Sequence, residues 1–162
     1  MPVTDITKDP ENLSLTITAE FAAPVERIWE MYADPRQLEK VFGPPTYPAT
    51  FVRHELRPGA TTHYFMTSPE GEKFCGLMRI TEVQEPERFA FEDAFADESF
   101  TPVDSMPVSV NVYAFTPVEG GTRAVYTSTY ASQEALQQVL DMGMEEGSRE
   151  AMDQIDAFLA AA

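Results

Sequence analysis

The stretch LSLTITAEFAAPVERIWEMYADPRQLEKVF, residues 13–42, changes its hydrophobic period part-way along. Leu13, Leu15, Ile17, Ala19 and Phe21 alternate with Ser14, Thr16, Thr18 and Glu20, the pattern of a strand with one dry and one wet face. From Pro24 the spacing turns helical, with Val25, Ile28, Trp29 and Tyr32 on one side. Proline suits a first helical position, where no amide donor is needed. Asp34 then offers an N-cap ahead of Pro35 for a second short helix. The prolines of GPPTYP, residues 43–48, end it.

Outward from there the texture becomes strand and turn. TFVRHEL (50–56), TTHYFMT (61–67), KFCGLMRITEV (73–83), RFAFEDAF (88–95), PVSVNVYAFTPV (107–118) and TRAVYTSTY (122–130) follow one another, mostly across short turns. Tight turns favour antiparallel hairpins over crossovers. Ser132 can then cap a helix with Glu134 in its first turn. The helical spacing runs from about Gln133 to Phe158, with Leu136, Leu140, Met144, Gly147, Ala151, Ile155 and Phe158 on one face. Gly143 and Gly147 interrupt it, each costing about 1 kcal/mol against alanine. Gly143 eases a bend; Gly147 lets the helix approach the sheet or leaves room beneath it.

The expected fold is α+β: a curved antiparallel sheet of about seven strands wrapped around a long C-terminal helix, with two short helices after the first strand. Residues 13–162 make one domain and residues 1–12 a flexible polar arm. A cavity between sheet and helix is the natural place for a ligand.

Composition narrows the partners. Twenty-seven acids against eleven bases give a net charge of −16, which repels nucleic acid and anionic membrane surfaces. No apolar run is long enough to span a bilayer, and the N-terminus lacks the pattern of a secretory signal, so a cytoplasmic location is expected. The single cysteine, Cys75, permits no internal disulfide and reads as a small buried hydrophobe.

The element order, with FAAPVERIWEMYADPRQLEKVFGP, LRPGA, PEGEKFCGLMRITEVQEPERFAF, EGGTRAVYTSTY and GMEEGSREAMDQIDAFLA, resembles the helix-grip fold of the START-like (birch-pollen-allergen-like, SRPBCC) superfamily. Within it the chain is similar to the bacterial branch related to the C-terminal domain of the activator of the heat-shock-protein-90 ATPase. The resemblance covers about Leu15 to Leu159. It implies a scaffold used by lipid carriers, hormone receptors, polyketide cyclases and hydrolases, and in this branch a co-chaperone role. Two positions depart from the family pattern: Ser148 stands where a tryptophan is common, and Thr62 where a large aromatic is common. Facing inward, both would enlarge a pocket.

Candidate chemistry is sparse. His54 and His63 flank the LRPGA turn without a third ligand spaced nearby, so no metal is expected. Period two sets His63 opposite Thr62, Tyr64 and Met66, on the outer face, with His54 near it. No phosphate loop or nucleophile motif is present, and no cofactor is implied. Asp93 shares a strand face with Phe89, Phe91 and Phe95. Lining a pocket it could bind a ligand amine or act as a general base; at a strand edge it reaches solvent. The expected pocket residues are Thr62, Tyr64, Met66, Met78, Phe91, Asp93, Tyr126, Ser128, Met144, Gly147 and Ser148. Tyr130 belongs to the same polar-aromatic set, while Asn111 and Tyr113 could face either way.

Three functional readings follow. The first is binding of a small hydrophobic or aromatic ligand between sheet and helix. The second is an enzyme of polyketide-cyclase or hydrolase type in the same cavity, with Asp93 as its one acid–base candidate. The third, a co-chaperone-like interaction protein, rests on the resemblance alone. A homodimer is compatible with the fold.

Overall fold

The computed structural model describes residues 2–161. Eight strands form one antiparallel sheet: β1 (Val3–Asp9), β2 (Ser14–Phe21), β3 (Ala49–Arg53), β4 (Thr61–Thr67), β5 (Lys73–Gln84), β6 (Arg88–Ala96), β7 (Val108–Val118) and β8 (Gly121–Tyr130). Their spatial order is β1-β2-β8-β7-β6-β5-β4-β3. Two short helices, α1 (Val25–Ala33) and α2 (Pro35–Leu38), separate β2 from β3, and α3 (Gln133–Asp141) and α4 (Met144–Ala161) close the chain. This is the expected α+β helix-grip arrangement. No helix among the described residues is long and apolar enough to cross a membrane.

Alternation sets the inner face. Leu15, Ile17, Ala19 and Phe21 of β2 are buried, and so are Phe89 and Phe91 of β6 and Ala124 and Tyr126 of β8. Helix α1 lies across β7 and β8. It buries Val25, Ile28, Trp29, Met31 and Tyr32. Trp29 meets Phe89 and Phe115 edge-on at 5.7 and 6.5 Å, anchoring the helix to the sheet through aromatic contacts worth about 1 kcal/mol each beyond their burial. The Asp34 carboxylate accepts from Arg36 N at 2.9 Å, capping α2 ahead of Pro35. Bulges between Ile80 and Glu82 in β5 and between Phe51 and Arg53 in β3 add bend to that half of the sheet.

Three expectations need correction. Where residues 1–12 read as a flexible arm, Val3–Asp9 pairs with β2 as an eighth, edge strand, and Lys8 bridges to Glu145 of α4 at 3.3 Å. Leu13 stands in the turn between them at φ +56, outside β2. The C-terminal helix is not continuous. Met142 ends α3, and Gly143 takes φ +85, a left-handed conformation in which no helix continues. Ser132 caps α3 as the sequence predicts, accepting from Ala135 N at 3.1 Å. The two helices seat in different places. Leu136 and Val139 of α3 pack with Leu15 and Tyr130, whereas Met152 and Ile155 of α4 join the main core.

Candidate functional site

Between the sheet and the α3–α4 break lies a cavity of about 410 Å³. Its sheet wall comes from β4, β6, β7 and β8, and its roof from Val139, Met142, Gly143, Met144, Gly147, Ser148, Ala151, Met152 and Ile155. Phe42, Gly43 and Pro44, after α2, close one side, and Phe95 and Pro107 stand at either end of the β6–β7 loop.

Strand pairing explains where the polar groups fall. Register aligns Met78, Asp93, Ser109 and Tyr130 in one row across β5, β6, β7 and β8. The next row inward holds Ile80, Phe91, Asn111 and Ser128, and the one beyond it Phe89, Tyr113 and Tyr126. Side chains directly opposite in such rows sit about 5 Å apart at Cβ. Polarity therefore concentrates in the outer two rows while the innermost is aromatic. Ser128 donates to Asn111 Oδ1 at 2.6 Å, and Asn111 Nδ2 donates to Ser109 Oγ at 2.9 Å. Tyr130 Oη donates a long, weak bond of 3.4 Å to Met144 Sδ.

Asp93 is the one acid in the lining. Tyr64 Oη donates to its Oδ1 at 2.9 Å. Loss of water around the carboxylate pushes its pKa up to about 7, and the Tyr64 hydrogen bond pulls in the opposite direction. Burial likewise raises Tyr64 and Tyr113 well above the ordinary phenol value, with the Asp93 charge adding to both, and raises Tyr130 to about 12. These phenols are neutral hydrogen-bonding groups near neutral pH.

Of the residues expected to form the pocket, Tyr64, Met66, Asp93, Ser128, Met144, Gly147 and Ser148 line this cavity. Thr62, Met78, Phe91 and Tyr126 do not. They face the same side of the sheet, as alternation requires, but lie in packed regions. Thr62 is fully buried against His54, and Phe91 packs edge-on to Tyr113 at 5.1 Å. Met78 is buried in the main core, and Tyr126 Oη sits 2.7 Å from Tyr32 Oη, under α1. Period two gives the face of a residue and not its depth below the helices. Ser148 faces the cavity, so its missing bulk is cavity volume, whereas Thr62 adds none.

Asn111 and Tyr113 prove to point inward, with Val108 and Val110 about half exposed on the outer face. The valines of that strand argue for the wrong phase, and only the pairing with Ser128 and Tyr126 reveals the right one. Ser109, Tyr32 and the Phe42–Pro44 segment also line the cavity without any sequence signal for it.

The histidines take different parts. His63 stacks on Phe100 at 4.6 Å, on the opposite side of β4 from Tyr64. His54 turns inward, away from the outer position expected for it. Its Nε2 lies 2.7 Å from the Tyr32 carbonyl, so it donates there, and Nδ1 accepts from Thr62 Oγ1 at 2.8 Å. Burial lowers its pKa. Both nitrogens are thus committed to structure. No group of three or more His, Cys, Asp or Glu among the described residues could hold a metal ion.

A family model described as activator of Hsp90 ATPase homolog 1-like protein matches residues 22–160. None of the curated proteins matches the sequence. Among solved structures, protein Ms6760 from Mycobacterium smegmatis is 63% identical over 99% of both chains, with a TM-score of 0.92. A protein from Arthrobacter aurescens is 46% identical over 99% of this chain and 93% of its own, with a TM-score of 0.94. The AHSA1 protein from Silicibacter pomeroyi shares the fold at 20% identity, covering 91% of this chain and 98% of its own, with a TM-score of 0.74.

Proposed function

The chain belongs to the activator of Hsp90 ATPase homolog 1-like family, and on that scaffold we propose that it binds a small hydrophobic or aromatic molecule between the sheet and the α3–α4 break. The observation that carries this reading is the cavity of about 410 Å³ itself. Ligand sites run from about 300 to 1,000 Å³. Its walls combine Phe95, Tyr113, Met144 and Met152 with the polar row through Asp93, Ser109 and Tyr130. An apolar enclosure with a few convergent polar groups orients a guest while burying most of it.

Titration with the neutral dye Nile red tests this. We expect saturable one-to-one fluorescence enhancement, weakened about tenfold or more by Ser148→Trp and by Met144→Trp, each of which places an indole in the cavity. Absence of saturable binding, or binding indifferent to both substitutions, overturns the reading.

Asp93 favours a second reading, catalysis in the same cavity. A carboxyl group held near neutrality, inside an enclosure, suits general acid–base work. A panel of aromatic esters tests hydrolysis. Turnover abolished by Asp93→Asn supports this reading, and turnover absent in the wild type or unchanged in the variant counts against it.

A further inference from the structure

The chemistry of the polar row says more about the guest than the cavity volume does. Asp93 has Tyr64 as its one hydrogen-bond partner among the described residues, and that bond occupies Oδ1. No lysine, arginine or histidine lines the cavity. The carboxylate therefore stands in a mostly apolar wall without a countercharge, an arrangement that is unfavourable until a cation arrives. Ser109 and Tyr130 are its successive neighbours along the row. Ser109 Oγ accepts from Asn111 and retains a lone pair, and the Tyr130 hydroxyl makes a weak contact to the Met144 sulfur and a hydrogen bond with Ser128. Three oxygen-bearing side chains thus share one row of the cavity wall, beside aromatic rings whose faces attract cations.

We propose that the cavity takes an amphiphilic amine, its protonated ammonium group seated against Asp93, Ser109 and Tyr130 and its apolar body under α4. The inference rests on the cavity being a ligand site and adds the chemistry of the ligand's head group. The overall charge of −16 acts in the same direction at long range, drawing cations toward the protein. An anionic head would meet the Asp93 charge instead. A neutral hydroxyl would gain an ordinary hydrogen bond but not a charge-assisted one, which is roughly twice as strong.

The other titratable groups in the cavity wall are Tyr32 from α1, Tyr64 from β4, Tyr113 from β7 and Tyr130 from β8, all raised by burial and neutral near neutral pH. The parts of α3 and α4 that line the cavity carry no titratable side chain. Asp93 alone changes charge near neutrality, at about 7. Amine binding requires its ionised form, and the amine itself stays protonated up to about pH 10. Affinity is thus retained above the Asp93 value and lost as pH falls through it.

The experiment displaces Nile red from the wild-type protein with decylamine, decanol and decanoate. At about pH 8 decylamine should displace the dye at a concentration about tenfold or more below that of decanol, with decanoate weaker still. Lowering the pH to about 6 should weaken decylamine about tenfold and leave decanol unchanged. Asp93→Asn should erase the preference for the amine while decanol still binds. Equal displacement by amine and alcohol, a preference that survives Asp93→Asn, or amine binding that leaves the dye in place would overturn the inference and leave the hydrophobic site standing. If Nile red itself fails to bind saturably, both fall. The ligand comparison and the pH profile need only wild-type protein, so the inference stays testable should the variant not fold.

Discussion

Tyr64 lies over Gly76 on the adjacent strand, so near that a Cβ there would fall inside van der Waals contact with the ring carbon Cζ and with Oη. The glycine is what allows the phenol to lie across β5 and reach Asp93, one strand further on. Gly76→Ala should therefore push the ring off its seat and lower stability by about 1–3 kcal/mol, the usual range for overpacking. Denaturant unfolding measures the loss. Because the Tyr64 bond lowers the Asp93 pKa, the same variant should show a higher Asp93 pKa by carboxyl NMR.

Asp93 also makes stability depend on pH. Its pKa rises from 3.8 to about 7 on folding, so the folded state binds this proton more tightly than the unfolded chain. Its contribution is fully present below the unfolded value and lost as pH rises through the folded one. Asp93→Asn removes the penalty of the buried charge. At about pH 8 the variant should be more stable than the wild type by about 1–3 kcal/mol, an advantage that shrinks toward about pH 4. Urea midpoints for both proteins across that range check it. An advantage that stays constant with pH would separate the effect from Asp93 titration.

The two glycines of the last helical segment should respond oppositely to alanine. Gly143 has φ +85 with nothing within 4 Å of the Cβ position, so Gly143→Ala meets backbone strain alone, about 1–2 kcal/mol. Gly147 is helical, and its Cβ would meet only Pro44 Cγ at an ordinary 3.7 Å. Gly147→Ala should stabilise by about 0.5–1 kcal/mol. Thermal melts of the pair distinguish a hinge glycine from one that merely leaves space.

Tyr32 and Tyr126 share one buried hydroxyl pair at 2.7 Å. Tyr126→Phe should leave Tyr32 Oη without that partner and cost about 1–3 kcal/mol, while the double phenylalanine variant costs much less than the two single variants together. A double-mutant cycle in denaturant reads the coupling directly.

The strands from β2 to β8 and both early helices are legible in the sequence because their burial is one-sided and strictly periodic, as in Leu15–Phe21 and Val25–Tyr32. β1 escapes notice because VTDITKD carries four polar side chains exposed at an edge; what holds it is pairing with β2, which no local pattern records. The helix break was signalled by Gly143, yet apolar spacing continues through it, so periodicity favours one helix over two. The site was partly visible through Tyr64, Asp93 and Ser148. The Ser109–Asn111–Ser128 chain was not, because it exists only across the register of β7 and β8.

The break at Gly143 divides the C-terminal segment between two attachments. Met152 and Ile155 fasten α4 into the main core, while α3 rests on the small cluster around Leu15 and Tyr130. Met142, at the end of α3, borders the cavity on the side of that small cluster, apart from the central core. An unbroken helix would tie both clusters to one rigid rod. Here a single left-handed glycine lets the two ends of the segment seat independently.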